Sequence, residues 1–209
     1  MSLSRLAAVL SAMLVLGAAS AADSRAGWTP FKVQTSPGGW DWPEDADTVA
    51  GLVFNFKGDT SRIYGLQLGW INGSDSAAGI QLSLAYNLAA DGVYGLQASP
   101  AVNFADRQYG LQLGAWNSAN RSMGLQAAWL RNWSDRGGGL MAAPVNVTKS
   151  AMRGIQAGVV NRSDGDMSGI QLGLLNICRG TLKGLQLGFA NIGGQNALLP
   201  FAIGFNAGF

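Results

Sequence analysis

The chain has 209 residues, of which 48% are apolar and 12% charged, and its formal net charge is +2. It contains no histidine and a single cysteine, Cys178, so a Ser-His-Asp triad, a histidine-ligated metal, a cysteine-rich zinc site and an intrachain disulfide are excluded. Lys and Arg are scattered singly among Asp without a basic stripe, which argues against nucleic acid as a partner.

The N-terminal residues 1–21 have the features of a secretory signal peptide. Arg5 precedes an apolar run over residues 6–17, and small residues occupy positions 19–21 as at a cleavage site. The run is shorter than the roughly 20 residues that a membrane-spanning helix needs. We therefore expect the mature chain to begin near Ala22 and the protein to be exported to the outer membrane or the cell surface.

The segment 22–50 precedes the first repeat and is predicted to be mostly loop. It holds the best carboxylate cluster of the chain, which consists of Asp41, Glu44, Asp45 and Asp47. The cluster lies beside Trp40 and Trp42 and is more typical of a solvated loop than of an active site. We therefore predict a protein that is not an enzyme and has no catalytic residue, cofactor, metal ligand or identifiable small-molecule ligand.

A repeat with a step of 14 to 16 residues occupies residues 51–209. Its clearest copies have the form Gly-(Leu/Ile)-Gln-x-Gly-x-x-Asn, as in GLQLGWIN and GIQLGLLN. The copies begin at the repeat glycines Gly51, Gly65, Gly79, Gly95, Gly110, Gly124, Gly139, Gly154, Gly169 and Gly184. Leu or Ile alternates with Gly and Gln, which predicts β-strands with one apolar face and one small, polar face. Turn-forming residues separate the copies, so we predict an all-β domain over 51–209.

Two architectures accommodate this repeat. In a parallel β-solenoid each unit is one coil, Leu fills the core, and Gln or Asn stack as ladders along the axis. In an antiparallel up-and-down β-barrel each unit is one strand, with Leu facing lipid and Gln facing the lumen. The connectors offer almost nothing apolar to bury, and each unit matches the roughly 9 to 11 residues of a membrane strand. We therefore predict an outer-membrane barrel of about 10–12 strands, with the solenoid as the alternative.

Aromatic residues stand at both ends of the predicted strands. Tyr64, Tyr94 and Tyr109 directly precede a repeat glycine, and Trp70 and Trp129 follow one by five residues on the same face. The two positions are about 20 Å apart at strand rise, near the height of the apolar band of a membrane barrel. We therefore predict that these five side chains lie at the membrane interface.

Eight glutamines occupy the middle of the predicted strands. They are Gln67, Gln81, Gln97, Gln112, Gln126, Gln156, Gln171 and Gln186. In a barrel they would face the lumen as a neutral polar belt whose simplest role is to satisfy interior hydrogen bonds. The predicted function is a passive pore or a structural envelope component.

The last nine residues, FAIGFNAGF, place Phe205 and Phe209 on one apolar face. This segment resembles the C-terminal strand of bacterial outer-membrane barrels. The resemblance implies that these phenylalanines serve as an assembly signal, with outer-membrane lipid and the barrel-assembly machinery as partners.

Residues 30–209 also resemble exported bacterial surface-repeat proteins that are built from the same unit. That resemblance implies a location at the surface or envelope and no catalytic residue. The Gln-x-Gly-x-x-Asn core resembles the curlin repeat of extracellular amyloid fibres, although the period is shorter and Leu and Trp replace much of its Ser, Asn and Gln. If the chain is a solenoid, we expect a secreted or surface-attached adhesive or matrix module.

Overall fold

The computed structural model describes residues 27–35, 39–44 and 46–209, and the expected signal peptide lies outside them. The described chain is all-β, which confirms the predicted class. Its strands are β1 Trp28–Gln34, β2 Asp41–Trp42, β3 Thr48–Ala98, β4 Val102–Ala142, β5 Val145–Ala157, β6 Val160–Ser163, β7 Asp166–Leu172, β8 Leu175–Cys178, β9 Leu182–Ile192 and β10 Phe201–Gly208. Over these same residues, no helix has the length and apolarity needed to cross a membrane.

Successive repeats stack as the coils of a parallel β-solenoid. Gly95 of β3 pairs with Gly110 of β4. Gly139 of β4 pairs with Gly154 of β5, which pairs with Gly169 of β7. All of these pairings are parallel, whereas neighbouring strands of an up-and-down barrel are antiparallel. The predicted barrel is therefore wrong, and the solenoid alternative is confirmed.

Each repeat forms one coil with two short walls instead of one membrane-length strand. In the C-terminal half, β7 carries Gln171 and pairs with β5 and β9, whereas β8 carries Asn176 and pairs with β6 and β9. The chain turns a corner between the Gln and the Asn, so the roughly ten residues that matched a membrane strand are divided between two walls. Strands β3 and β4 pass several such corners without a break in extended conformation.

The repeat glycines form a continuous column along the Gln-bearing wall. Their φ angles lie between 99° and 159°, a region that side chains with a Cβ rarely adopt. The carbonyl oxygen of one repeat glycine also lies against the next glycine in the column. A Cβ on Gly139 would overlap the carbonyl oxygen of Gly124, and a Cβ on Gly154 would overlap that of Gly139. Glycine is therefore required here by backbone conformation and by the close approach of successive coils.

The core between the walls is narrow and holds four buried columns, of which the repeat Gln and Asn form two. The third lies two residues before each repeat glycine and includes Val49, Ile63, Ala77, Val93, Met152, Met167 and Leu182. The fourth lies two residues after each Asn and consists of Ser74, Ala89, Ala105, Ala119, Ser134, Thr148, Ser163 and Cys178. These small residues belong to the connectors, so connectors of low apolarity do fill a second wall when the walls are this close.

The two ends of the solenoid depart from the parallel order. Within segment 22–50, expected to be mostly loop, β1 pairs in parallel with β3, and β2 pairs antiparallel with β1. At the other end β10 pairs antiparallel with β9. Since β10 and β2 lie at opposite ends of the sheet, the last strand does not close onto the first, as a barrel would require.

Candidate functional surfaces and the interior ladders

The Asn of each coil belongs to an interior ladder of side-chain amides. Eight Nδ2 groups donate a hydrogen bond to Oδ1 of the Asn in the next coil over 2.8 to 3.0 Å, and the last member, Asn191, donates to the backbone carbonyl of Gly188 at 3.1 Å. The members are Asn72, Asn87, Asn103, Asn117, Asn132, Asn146, Asn161, Asn176 and Asn191, all with 0% exposure. Most Nδ2 groups also donate to a backbone carbonyl, as Asn161 does to Leu172 at 2.8 Å. Buried amides thus obtain the partners that burial demands.

The eight repeat glutamines form a second ladder in the same interior. Here the donors point the other way, because Nε2 of Gln81 donates to Oε1 of Gln67 at 2.8 Å and Nε2 of Gln186 donates to Gln171 at 2.8 Å. The amide dipoles of the two ladders therefore oppose one another along the axis. All eight glutamines have 0% exposure and lie in a packed interior with no lumen to line. The predicted passive pore is therefore wrong.

Met141 interrupts the Gln ladder. Gln126 donates to Gln112 at 2.7 Å on one side of the break, and Gln171 donates to Gln156 at 2.7 Å on the other. Across the break, Nε2 of Gln156 lies 3.9 Å from Sδ of Met141. A thioether is a weak acceptor and has no proton to donate, so the ladder is divided into two segments.

Replacing Met141 with glutamine is expected to stabilise the fold by about 1 kcal/mol, the net value of a buried hydrogen bond. The new amide accepts from Gln156 and donates to Gln126, and its volume is close to that of methionine. Chemical denaturation measures the change. Met152→Gln is the matched control, because Met152 is equally buried but stands outside the ladder, and it should destabilise. A loss of stability in Met141→Gln would contradict a continuous ladder.

The side chains that alternate with the Gln ladder point outward and form an apolar surface, which we call the Leu face. Its central column is formed by the residues that come directly after the repeat glycines in the sequence, which are Leu66, Ile80, Leu96, Leu111, Leu125, Leu140, Ile155, Ile170 and Leu185. Leu172, in the column two residues further on, is 38% exposed while Gln171 beside it is buried. The expectation that Leu fills a solenoid core is wrong. The pleat of a strand places alternate side chains on opposite faces, and in this solenoid the Gln amides face the interior while the Leu side chains face outward.

The third column of the Leu face directly precedes the repeat glycines. It contains Tyr64, Ala78, Tyr94, Tyr109, Met123, Gly138, Arg153, Ser168 and Lys183. The predicted interface tyrosines thus lie together on one exposed surface, and the rings of Tyr94 and Tyr109 stack at 5.0 Å with 4° between their planes. Gly138 has no side chain to fill the column, and an open groove of about 640 Å³ lies at this position, lined by Met123, Arg153 and neighbouring residues.

A second apolar feature, the corner ridge, lies where each coil turns from the Gln wall to the Asn wall. It is formed by the residues five positions after the repeat glycines, which are Trp70, Leu84, Pro100, Ala115, Trp129, Pro144, Val159, Leu174 and Phe189. Trp129 is 72% exposed and Phe189 is 73% exposed. The predicted interface residues Trp70 and Trp129 therefore belong to a ridge separate from the column of tyrosines.

Charged residues cluster at the opposite turn of each coil. Asp164 accepts hydrogen bonds from Nε of Arg162 at 2.7 Å and forms an ion pair with Nη1 of Arg179 at 3.1 Å. Asp166 accepts from the backbone N–H of Thr181 at 2.8 Å, and this hydrogen bond lowers the pKa of Asp166. Any stability it contributes is present at neutral pH and is lost as the pH falls through that lowered pKa. The exposed ion pairs of Asp164 contribute little to the stability of the fold.

The C-terminal strand caps the solenoid. In β10, Asn206 donates to the backbone carbonyl of Leu199 at 2.8 Å and to Oε1 of Gln186 at 3.4 Å, so it takes the next position of the Gln ladder. The predicted assembly residues Phe205 and Phe209 are exposed on the outside of this cap. In the sequence, the feature that indicates this cap is Asn206, the amide residue that follows Phe205.

The remaining polar candidates are the carboxylate cluster of segment 22–50 and Cys178. Asp41 of the carboxylate cluster forms an ion pair with the buried Lys32 at 3.0 Å, and Asp45 lies outside the described residues. Burial raises the pKa of the Cys178 thiol. Within residues 27–35, 39–44 and 46–209, no three His, Cys, Asp or Glu side chains come together as a metal site.

The distinctive features of this chain are thus two buried amide ladders, an apolar exterior and a charged edge. Comparison with models of known protein families, with curated proteins and with solved structures finds no match for the chain.

Proposed function

We propose that the protein is an exported, non-enzymatic β-solenoid that serves as an adhesive or matrix module at the cell surface. The observation that carries the proposal is the corner ridge, on which the most exposed large side chains, Trp129 and Phe189, are more than two-thirds exposed. Exposed apolar surface beyond a few hundred Å² marks an interaction site in soluble proteins. Attachment would therefore use apolar contact along the length of the solenoid.

The distribution of charge supports this orientation. Arg121 and Arg136 are exposed at the turn opposite the ridge, and the ion pairs of Asp164 lie at that turn too. One edge of the solenoid is thus suited to water and the other to an apolar surface. The resemblance to exported surface-repeat proteins and to the curlin repeat supports the same location, and residues 1–21 would be removed on export.

Adsorption to defined surfaces tests the ridge. The mature chain, residues 22–209, is expected to adsorb to a methyl-terminated monolayer and not to a hydroxyl-terminated one. The double variant Trp129→Ser with Phe189→Ser should weaken adsorption by about tenfold or more, since burying one large apolar side chain contributes about 1.5 to 3 kcal/mol. A quartz microbalance measures the bound mass and its release.

The matched control places the same substitutions at the charged turn, as Arg121→Ser with Arg136→Ser, and should adsorb like the parent protein. Equal weakening by both double variants would reject the ridge as the attachment surface, and no adsorption to the methyl surface would end the adhesive proposal. Export is tested separately by N-terminal sequencing of the cellular protein, which is expected to begin at Ala22. Recovery from the cytosol with residues 1–21 attached would contradict export.

A further inference from the structure

We propose that the Leu face is the interface of an antiparallel homodimer in which two copies pack Leu face to Leu face. The two-fold axis lies in the interface, runs parallel to the strands and passes the coil of Gly124. This inference goes beyond the adhesive function and does not depend on it, because the corner ridge and the Asn-bearing wall stay free. Oligomeric state in solution and adsorption to a surface are separate measurements.

The symmetry determines which side chains meet. A two-fold axis parallel to the strands reverses the order of the coils and keeps each column opposite itself. With the axis at Gly124, a coil that lies a given number of steps before it faces the coil the same number of steps after it. The column that precedes the repeat glycines therefore meets its own reversed copy, and Met123 meets Met123.

In this register every tyrosine of that column faces a complementary partner. Tyr64 faces Lys183 of the second copy, and Tyr94 faces Arg153 of the second copy. A cation over an aromatic ring is attractive, and more so when water is excluded. The symmetry repeats each pair, so the dimer contains both contacts twice and uses both cations that the Leu face carries in this column.

The third tyrosine fits a cavity. Tyr109 of one copy faces Gly138 of the other, where the absent side chain opens the groove of about 640 Å³. A Cβ at Gly138 would have no neighbour nearer than 3.5 Å, so the position has room for a ring that enters from outside. A tyrosine of the column thus meets the position at which the column has no side chain.

The remaining columns agree with the same register. In the column two residues beyond the central one, Leu82 faces Leu172 and Ala98 faces Ala157, whereas next to the axis Leu113 faces the small side chain of Ala142. Moving the register by one step in either direction weakens the match. In one direction Tyr64 faces Ser168 and Arg153 faces Ala78. In the other direction Tyr109 faces Arg153, but Tyr94 faces Ser168 and Tyr64 loses its cation. The order of large and small side chains along the face is therefore close to symmetric about Gly124.

The area is sufficient for a stable dimer. In this register the nine coils from Gly65 to Gly184 face each other. At about 4.8 Å per coil, with three outward residues on each strand, they give a face of about 43 by 15 Å. Packing two such faces buries about 1,300 Å² in total, which exceeds the roughly 1,000 Å² expected of a specific interface. Flat faces with alternating large and small side chains also interdigitate well.

Site-specific cross-linking tests the arrangement in full-length mature protein carrying Cys178→Ser as background. Leu125 lies on the two-fold axis, so Leu125→Cys is expected to give a covalent dimer with a short bis-maleimide. Leu66 faces Leu185 of the second copy. Leu66→Cys and Leu185→Cys alone should therefore stay uncoupled, whereas mixing the two variants should give the cross-linked dimer.

Light scattering coupled to gel filtration supplies the second measurement. The parent protein is expected to elute as a dimer and Leu125→Lys as a folded monomer, because two like charges would meet on the axis. Leu175→Lys is the matched control on the Asn-bearing wall and should stay dimeric. Self-coupling of Leu66→Cys would show parallel copies, and a monomeric parent would show none; either result overturns the proposal. Circular dichroism checks folding of each variant.

Discussion

Replacing Gly139 with alanine is expected to destabilise the solenoid by about 3 kcal/mol or more. Gly139 has a φ of 99°, and a Cβ there would overlap the carbonyl oxygen of Gly124. The substitution therefore combines backbone strain with a steric clash between two coils in the middle of the stack. Because each coil contacts only its neighbours, the loss should divide the solenoid at this point. Denaturant titration of circular dichroism measures it.

The adjacent residue supplies the control. Gly138→Ala adds the same methyl group one position earlier, where φ is not positive and the nearest atoms would be 3.5 Å from the new Cβ. Its effect should stay within about 1 kcal/mol. If the two variants were equally stable, neither the positive φ nor the close approach of the coils would hold for the protein in solution.

Replacing Asn132 with aspartate is expected to destabilise the fold by about 2 to 4 kcal/mol at pH 7. Asn132 donates to Asn146 at 3.0 Å and to the backbone carbonyl of Gln126 at 2.9 Å, and an ionised carboxylate can make neither bond. Burial favours the neutral acid, so the pKa of the new carboxyl lies above its unfolded value. The penalty is therefore small at a pH below the unfolded value and grows as the pH rises above it.

Stability measured between pH 3 and pH 8 tests this prediction. Asn196→Asp is the matched control, since Asn196 is exposed and its positive φ of 65° suits Asp as well as Asn. The control should follow the parent protein across the range. A difference between parent and Asn132→Asp that did not change with pH would indicate that the carboxyl is not held in the buried ladder.

The local structure of the repeat was predictable because it depends on neighbours in sequence. Strict alternation of Leu66, Gln67 and Leu68 predicts extended chain, and the recurring glycines predict close packing of backbones. The amide ladders were part of the solenoid alternative, since identical side chains stacked at strand spacing bond to one another. The second wall was not predictable in this way, because the Ser and Ala of the connectors are buried only where the two walls lie close together.

The sequence by itself determined the all-β class, the length of the repeat and the division of each unit into an apolar and an amide-bearing set, because side-chain alternation and turn chemistry are local properties. Only the tertiary structure decided how the units pair and which set faces inward. Side-chain alternation is the same whether a strand runs antiparallel or parallel to its neighbour. The relative direction of neighbouring strands depends instead on the corner after Gln67, at which the chain turns within one repeat. This turn lets Gln and Asn side chains form hydrogen bonds from coil to coil in the interior.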